Sequence, residues 1–141
     1  MKIYVASSLK NWSQVRELNA KLQLLGHEIT YDWTEHGEKI FGDLRATPVL
    51  NFDTLLLQSV AIKEVAGVKS ADLLLLVYPG GLGTYWEFGY SYARGKQIVI
   101  WGLTDFVVAE GERPVAFNHL PYIRIVTSEE AALSAVEACS M

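Results

Sequence analysis

The stretch Leu73-Leu74-Leu75-Leu76-Val77-Tyr78-Pro79-Gly80-Gly81-Leu82-Gly83-Thr84-Tyr85-Trp86-Glu87 decides the fold. Residues 73 to 78 are apolar without alternation, the pattern of a strand covered on both faces, as in a parallel sheet. The glycine-containing turn at 79 to 83 then feeds a helix expected over 84 to 94, with Gly95 as its stop. Outward from this unit the pattern repeats. A helix capped by Asn51 or Asp53 runs to about Val68, ahead of the central strand. Residues 2 to 6 read as a first buried strand. Trp12, Val15, Leu18, Leu22 and Leu25 recur at helical steps, with Asn11 or Ser13 as cap and Gly26 as stop. Residues 28 to 31, 97 to 101 and 123 to 126 read as further strands. Thr127 with Glu130 forms a capping box that opens a last helix, fading near Ala138. Residues 32 to 50, with Gly37, Gly42 and Pro48, read as a long loop, and 103 to 121 as a looser stretch.

Strands that alternate with helices require right-handed crossovers and an open parallel sheet. The expected fold is therefore α/β, a doubly wound parallel sheet of about five strands, flavodoxin- or Rossmann-like, in one domain over residues 1 to 141. Half of the residues are hydrophobic and a fifth are charged, as in a folded globular chain. A net charge of −4 argues against a nucleic-acid backbone as partner, because phosphate neutralisation needs a basic face. The lone Cys139 excludes a disulfide framework and a cysteine-based zinc cluster within the chain. The first apolar run is too short for a signal or a membrane span, so no membrane partner and a cytoplasmic location are expected.

In doubly wound sheets ligands sit at the carboxyl ends of strands where the winding reverses, here between the first strand and the third. That places Ser7 and Ser8 beside the segment from Pro79 to Glu87. Gly80, Gly81 and Gly83 let backbone N–H groups approach a ligand, and the helix start near Thr84 adds unpaired donors and a positive dipole end. Glu87 lies about one turn into that helix. A carboxylate beside such an anion cradle is a candidate nucleophile, or an ion-pair stabiliser for an oxocarbenium-like centre.

Three pieces of the chain carry a family resemblance: Lys2-Ile3-Tyr4-Val5-Ala6-Ser7, Glu64-Val65-Ala66-Gly67-Val68-Lys69-Ser70-Ala71-Asp72 with the strand after it, and Gly83 through Glu87-Phe88-Gly89-Tyr90 to Gly95-Lys96. In these the chain resembles the nucleoside 2-deoxyribosyltransferase family and its nucleoside-monophosphate N-glycosidase relatives. The resemblance implies that Glu87 attacks the anomeric carbon of a nucleoside or nucleotide, giving a glycosyl-enzyme intermediate that water or a second base resolves. It implies that Tyr4 stands against that nucleophile, and that Glu64 occupies the place of the family's catalytic aspartate. It further implies a homo-oligomer, a dimer or higher, with Phe117 and Asn118 in the stretch that relatives lend to a neighbouring subunit's site. No cofactor and no metal are implied.

Gly80 and Gly81 stand where the transferases carry an aspartate that handles the leaving base, and where the monophosphate hydrolases often carry a phosphate-binding serine. Hydrolysis and transfer therefore both stay open, with Asp32, Glu35 or His36 as candidates to protonate the base. Residues 79 to 87 are also similar to the Pro-Gly-Gly-x-Gly-Thr-x-x-Glu signature of the cytokinin-activating phosphoribohydrolases, which release base from nucleoside monophosphates. The basic pair of that family has no counterpart before Asp72. A nucleotide-binding or sensing module without turnover is the reading from another class.

Other candidates rank lower. Trp33 and Tyr31 are the better placed aromatics for stacking on a base, against the core role usual for Trp12, Trp86 and Trp101. His27, His36 and His119 lack partners at metal-ligand spacing. Asp72 reads as a carboxylate that caps nearby backbone.

Overall fold

The computed structural model describes residues 1–41, 54–102 and 115–141, without the side chains of residues 40 and 41. Its strands are β1 (Lys2–Ser7), β2 (Glu28–Ile29), β3 (Leu73–Val77), β4 (Gln97–Trp101) and β5 (Ile123–Val126). Its α-helices are α1 (Trp12–Leu24), α2 (Thr34–Phe41), α3 (Thr54–Ser70), α4 (Leu82–Ala93) and α5 (Glu129–Ser140). All strand pairs are parallel and the sheet order is β2-β1-β3-β4-β5. This is the doubly wound α/β arrangement with β3 at the centre, and the winding reverses between β1 and β3.

The apolar run explains why β3 is central. Leu73, Leu74, Leu75 and Leu76 are all between 0% and 1% exposed, and such burial contributes about 2 kcal/mol per side chain. Each β3 residue is in register with one of β1, from Ile3 against Leu73 to Ser7 against Val77. The two strands therefore end level, and whatever follows them shares one edge of the sheet. Glycine stops work as expected: Gly26 and Gly95 have φ of 89° and 67°. Beyond them the N–H of His27 donates back to Leu22 O and that of Lys96 to Ser91 O, closing α1 and α4.

Several local expectations are corrected. The long loop expected at 32 to 50 holds α2. Asp32 Oδ1 accepts the Thr34 N–H at 2.9 Å and starts the helix, and Arg16 donates to Thr34 Oγ1 and to Glu38 Oε2 across from α1. Gly37, which suggests a loop by residue type, serves close packing: a Cβ there would lie 2.6 Å from Trp12 Cβ. Residues 42–50 lie outside the described residues.

β2 is two residues long rather than four. After Thr30 donates its N–H to Ile3 O, the chain leaves the sheet and Tyr31 turns against α3. α4 begins two residues before the expected Thr84, with Gly81 at its N-cap, so Gly83 belongs to the helix and not to the turn. α5 is capped by Ser128, whose Oγ accepts the Ala131 N–H at 3.1 Å, in place of the Thr127 and Glu130 box, and it runs to Ser140. Leu25 is 48% exposed and outside the core stripe of α1. The caps expected for α3, Asn51 and Asp53, lie outside the described residues.

Candidate active site

The site is built on the level ends of β1 and β3. Asn11 occupies the N-cap position of α1 but does not cap it. Its Nδ2 donates to Ser7 Oγ and to Pro79 O, and Ser7 Oγ in turn donates to Val77 O at 2.8 Å. The Ser8 N–H donates to Pro79 O at 3.2 Å. These bonds tie the two strand exits together, and they occupy the Ser7 hydroxyl.

Behind β3 the Tyr78–Pro79 peptide is cis, and Gly80 closes tightly on the helix start: a Cβ there would lie 2.5 Å from Thr84 Cγ2. The Thr84 hydroxyl accepts the Gly81 N–H at 3.0 Å. The first intrahelical bond on the far side of this turn is Tyr85 N–H to Gly81 O. The N–H groups of Leu82, Gly83 and Thr84 therefore precede the helical ladder and form the donor end of α4.

A cavity of about 330 Å³ opens here, within the range of small-ligand sites. Ser7, Ser8, Leu9 and Lys10 line it from the end of β1, Gly81 to Thr84 from the start of α4, and Trp33, Glu64 and Glu87 from the sides. Of the expected binding residues, Ser7, Ser8, Gly81, Gly83 and Thr84 are thus brought together. Gly80 is not among the lining; its lack of a side chain is used against Thr84. Gly81 and Gly83 have nothing within 4 Å of where a Cβ would stand, so they keep the donor end open.

Glu87 is 7% exposed and its Oε1 accepts the Tyr4 hydroxyl at 2.7 Å, across 83 positions of sequence. Burial pushes the Glu87 carboxyl up to about 8; the Tyr4 hydrogen bond works against that shift, and Glu64 adds to it. Tyr4 is fully buried. Burial and then the Glu87 charge raise its phenol far above the ordinary range, so it is a permanent donor. Glu64 is half-buried on α3, and desolvation raises its carboxyl too. Glu87 and Glu64 thus both line the cavity as carboxylates whose proton affinity is raised by burial, Glu87 the more deeply buried of the two.

Trp33 contributes a fixed apolar surface, since its Nε1–H is spent on Val5 O at 2.7 Å. Tyr31, the other stacking candidate, does not line the cavity. The candidate acids from the same segment are also displaced from it. Asp32 caps α2, Glu35 pairs with Lys39 at 3.3 Å, and burial with the Lys39 charge lowers the half-buried His36. Asn118 is buried within its own chain, where its Oδ1 accepts the Tyr85 hydroxyl at 3.0 Å, while Phe117 is exposed. Among the described residues no group of three or more His, Cys, Asp or Glu comes together at metal-binding distance.

Residue-level reading missed Lys10 and Gly67. Lys10 stands two residues after Ser8, and its position just beyond β1 is a usable signal. Gly67 lies within the Glu64-to-Asp72 segment that carries the resemblance, but no role attaches to it there; its close contacts with Tyr31 and Tyr4 emerge only from the packing of α3 on β1.

No family model and no curated protein matches the chain by sequence. Solved structures do match by shape. A CMP N-glycosidase of Clostridium botulinum, BcmB, superposes with a TM-score of 0.59 at 16% identity, over 98% of this chain and 99% of that one. A 2-deoxyribosyltransferase from Bacillus psychrosaccharolyticus gives 0.63 at 20% identity, over 94% and 90%. A conserved protein from Enterococcus faecalis V583 gives 0.59 at 21%, over 99% and 98%. The sheet order, the level exits of β1 and β3 and these superpositions agree: the chain has the 2-deoxyribosyltransferase-like fold.

Proposed function

We propose that the protein breaks the N-glycosidic bond of a nucleoside or nucleoside 5′-monophosphate, with Glu87 as nucleophile. The observation that carries this reading is the buried Tyr4–Glu87 hydrogen bond in the wall of the cavity at the switch point. Tyr4 holds Oε1, which leaves Oε2 to attack C1′. The C1′–O bond forms as the C1′–N bond breaks, the electron pair leaves with the base, and the base is protonated from Glu64 or solvent. Water, or the nitrogen of a second base, then attacks C1′ and releases the Glu87 carboxylate; the proton from the attacking group returns to Glu64 or solvent. The activity of the superposed N-glycosidase and deoxyribosyltransferase supports the reaction class.

Lys10, the hydroxyl of Ser8 and the donor end of α4 line the same cavity and suit the phosphate of a monophosphate. The reading further takes the protein to be a cytoplasmic homo-oligomer. In support of a second copy, Leu56, Leu57 and Ile62 of α3 and Trp86 of α4 are between 43% and 62% exposed, apolar side chains that a second copy would cover. No helix among the described residues is long and apolar enough to cross a membrane.

Incubation with a panel of nucleosides and 5′-monophosphates, with and without an acceptor base, tests the reading. Free or exchanged base should appear with the wild-type chain and vanish with Glu87→Ala. Activity that survives the substitution contradicts it. A ligand that raises Tm yet is recovered intact would favour the sensing module instead.

A further inference from the structure

Gly67 stands in the last turn of α3, where glycine is still a poorer helix former than alanine. It closes no turn, so the reason for it must be space. A Cβ at position 67 would lie 2.7 Å from Tyr31 Cβ and 3.1 Å from both Cδ2 and Cε2 of Tyr4. The first of these is a main-chain-proximal atom that cannot swing aside. The second pair is one edge of the ring whose hydroxyl reaches Glu87 Oε1 at 2.7 Å. The approach of α3 therefore bears on the tilt of Tyr4, and the tilt aims the phenol.

We propose that Gly67 is a positioning residue: by letting α3 approach β1 closely it fixes the Tyr4 ring so that the hydroxyl meets Glu87. Its effect on rate rests on the reading of Glu87 as nucleophile; its effect on the Tyr4–Glu87 pair does not. The groups that face Glu87 are Tyr4 from β1 and Glu64 from α3, with Tyr31 acting on Tyr4 and Lys10 lining the same cavity. Only the Tyr4 contact opposes the upward push of burial on Glu87, so a misplaced hydroxyl leaves the carboxyl still harder to ionise.

The test is a carbon-13 NMR titration of the glutamate side-chain carboxyls, the Glu87 signal being the one that Glu87→Gln removes. Tyr4→Phe should raise the proton affinity of Glu87 about tenfold, as for a lost hydrogen bond to a charged group. Gly67→Ala should move it in the same direction, and the double variant should match Tyr4→Phe alone. Gly37→Ala is a matched control, since its Cβ meets Trp12 Cβ at 2.6 Å, away from Tyr4, and it should leave the Glu87 signal unmoved. An unshifted Glu87 in Gly67→Ala overturns the proposal, as do additive shifts in the double variant or an equal shift in Gly37→Ala. Should Gly67→Ala fail to fold, Gly67→Ala with Tyr31→Gly removes the closer clash, keeps the one against Tyr4, and must still raise Glu87. In base-release assays below pH 8, Gly67→Ala should lower kcat and leave KM unchanged. A wild-type chain that releases no base would defeat the functional reading and leave the titration result standing.

Discussion

The two ends of β3 handle charge in opposite ways. At the amino end Asp72 and Lys96 are both committed to backbone. Asp72 Oδ2 accepts the Lys2 N–H at 2.8 Å, and Lys96 Nζ donates to the carbonyls of Val68, Lys69 and Ala71 that end α3. At the carboxyl end Glu87 has a single described partner, a neutral phenol, and beyond it a cavity. The first end contributes to stability, since a cation on the terminal carbonyls of a helix is favourable. The second opposes it, since burying a carboxylate without a cation costs free energy. Such a cost is retained where a reactive group is needed.

Substitutions at the two ends should therefore separate activity from stability. The largest effect is expected from Glu87→Gln, which should lower base release at least about a thousandfold. The same change should leave the fold intact and raise Tm in alkaline buffer. The sign follows from the carboxyl standing at about 8 in the folded chain against 4.5 for an ordinary glutamate. Stability is fully present below 4.5 and is lost as pH rises through about 8, so the gain in Tm should be clear at pH 9 and absent near pH 4.5. A uniform Tm change across that window would break the comparison.

Tyr4→Phe comes next. The wild-type rate should rise with pH toward about 8 as Glu87 ionises, and loss of the phenol should move that limb upward, costing about tenfold at pH 7. Lys10→Gln should raise KM for 5′-monophosphates by roughly tenfold and leave nucleosides unaffected, as read from parallel saturation curves. At the opposite end, Lys96→Met removes the cation from three carbonyls, with a loss of about 1–2 kcal/mol and a Tm lower by roughly 3–6 °C. Its kcat should equal that of the wild type. A fall in kcat without a fall in Tm would show that the two ends are not separate.

The fold was largely legible because its decisive signals are local. A six-residue apolar run, a glycine turn and a helix stop identify the β3-to-α4 unit from nearest neighbours in sequence. The same signals fail where packing overrides residue type. Gly37 marks a loop in sequence and a helix contact in space, and Asp32, a candidate acid, is drawn into capping that helix. The site was legible in part. The residues at the strand exits follow from the topology rule, and the pairing of Tyr4 with Glu87 came through resemblance, since nothing local joins residues so far apart. Gly67 and the occupied hydroxyl of Ser7 depend on the register of β1 with β3 and on how α3 seats, which no local pattern encodes.

The most direct test of the account is to look for the bond that it requires. The protein is mixed with the nucleosides and 5′-monophosphates that release base, quenched in acid during turnover, digested and mapped by mass. A pentosyl or phosphopentosyl adduct on the peptide that contains Glu87, absent after Glu87→Gln, is the predicted result. Base release that continues in Glu87→Gln, or an adduct carried by any other residue, would contradict it.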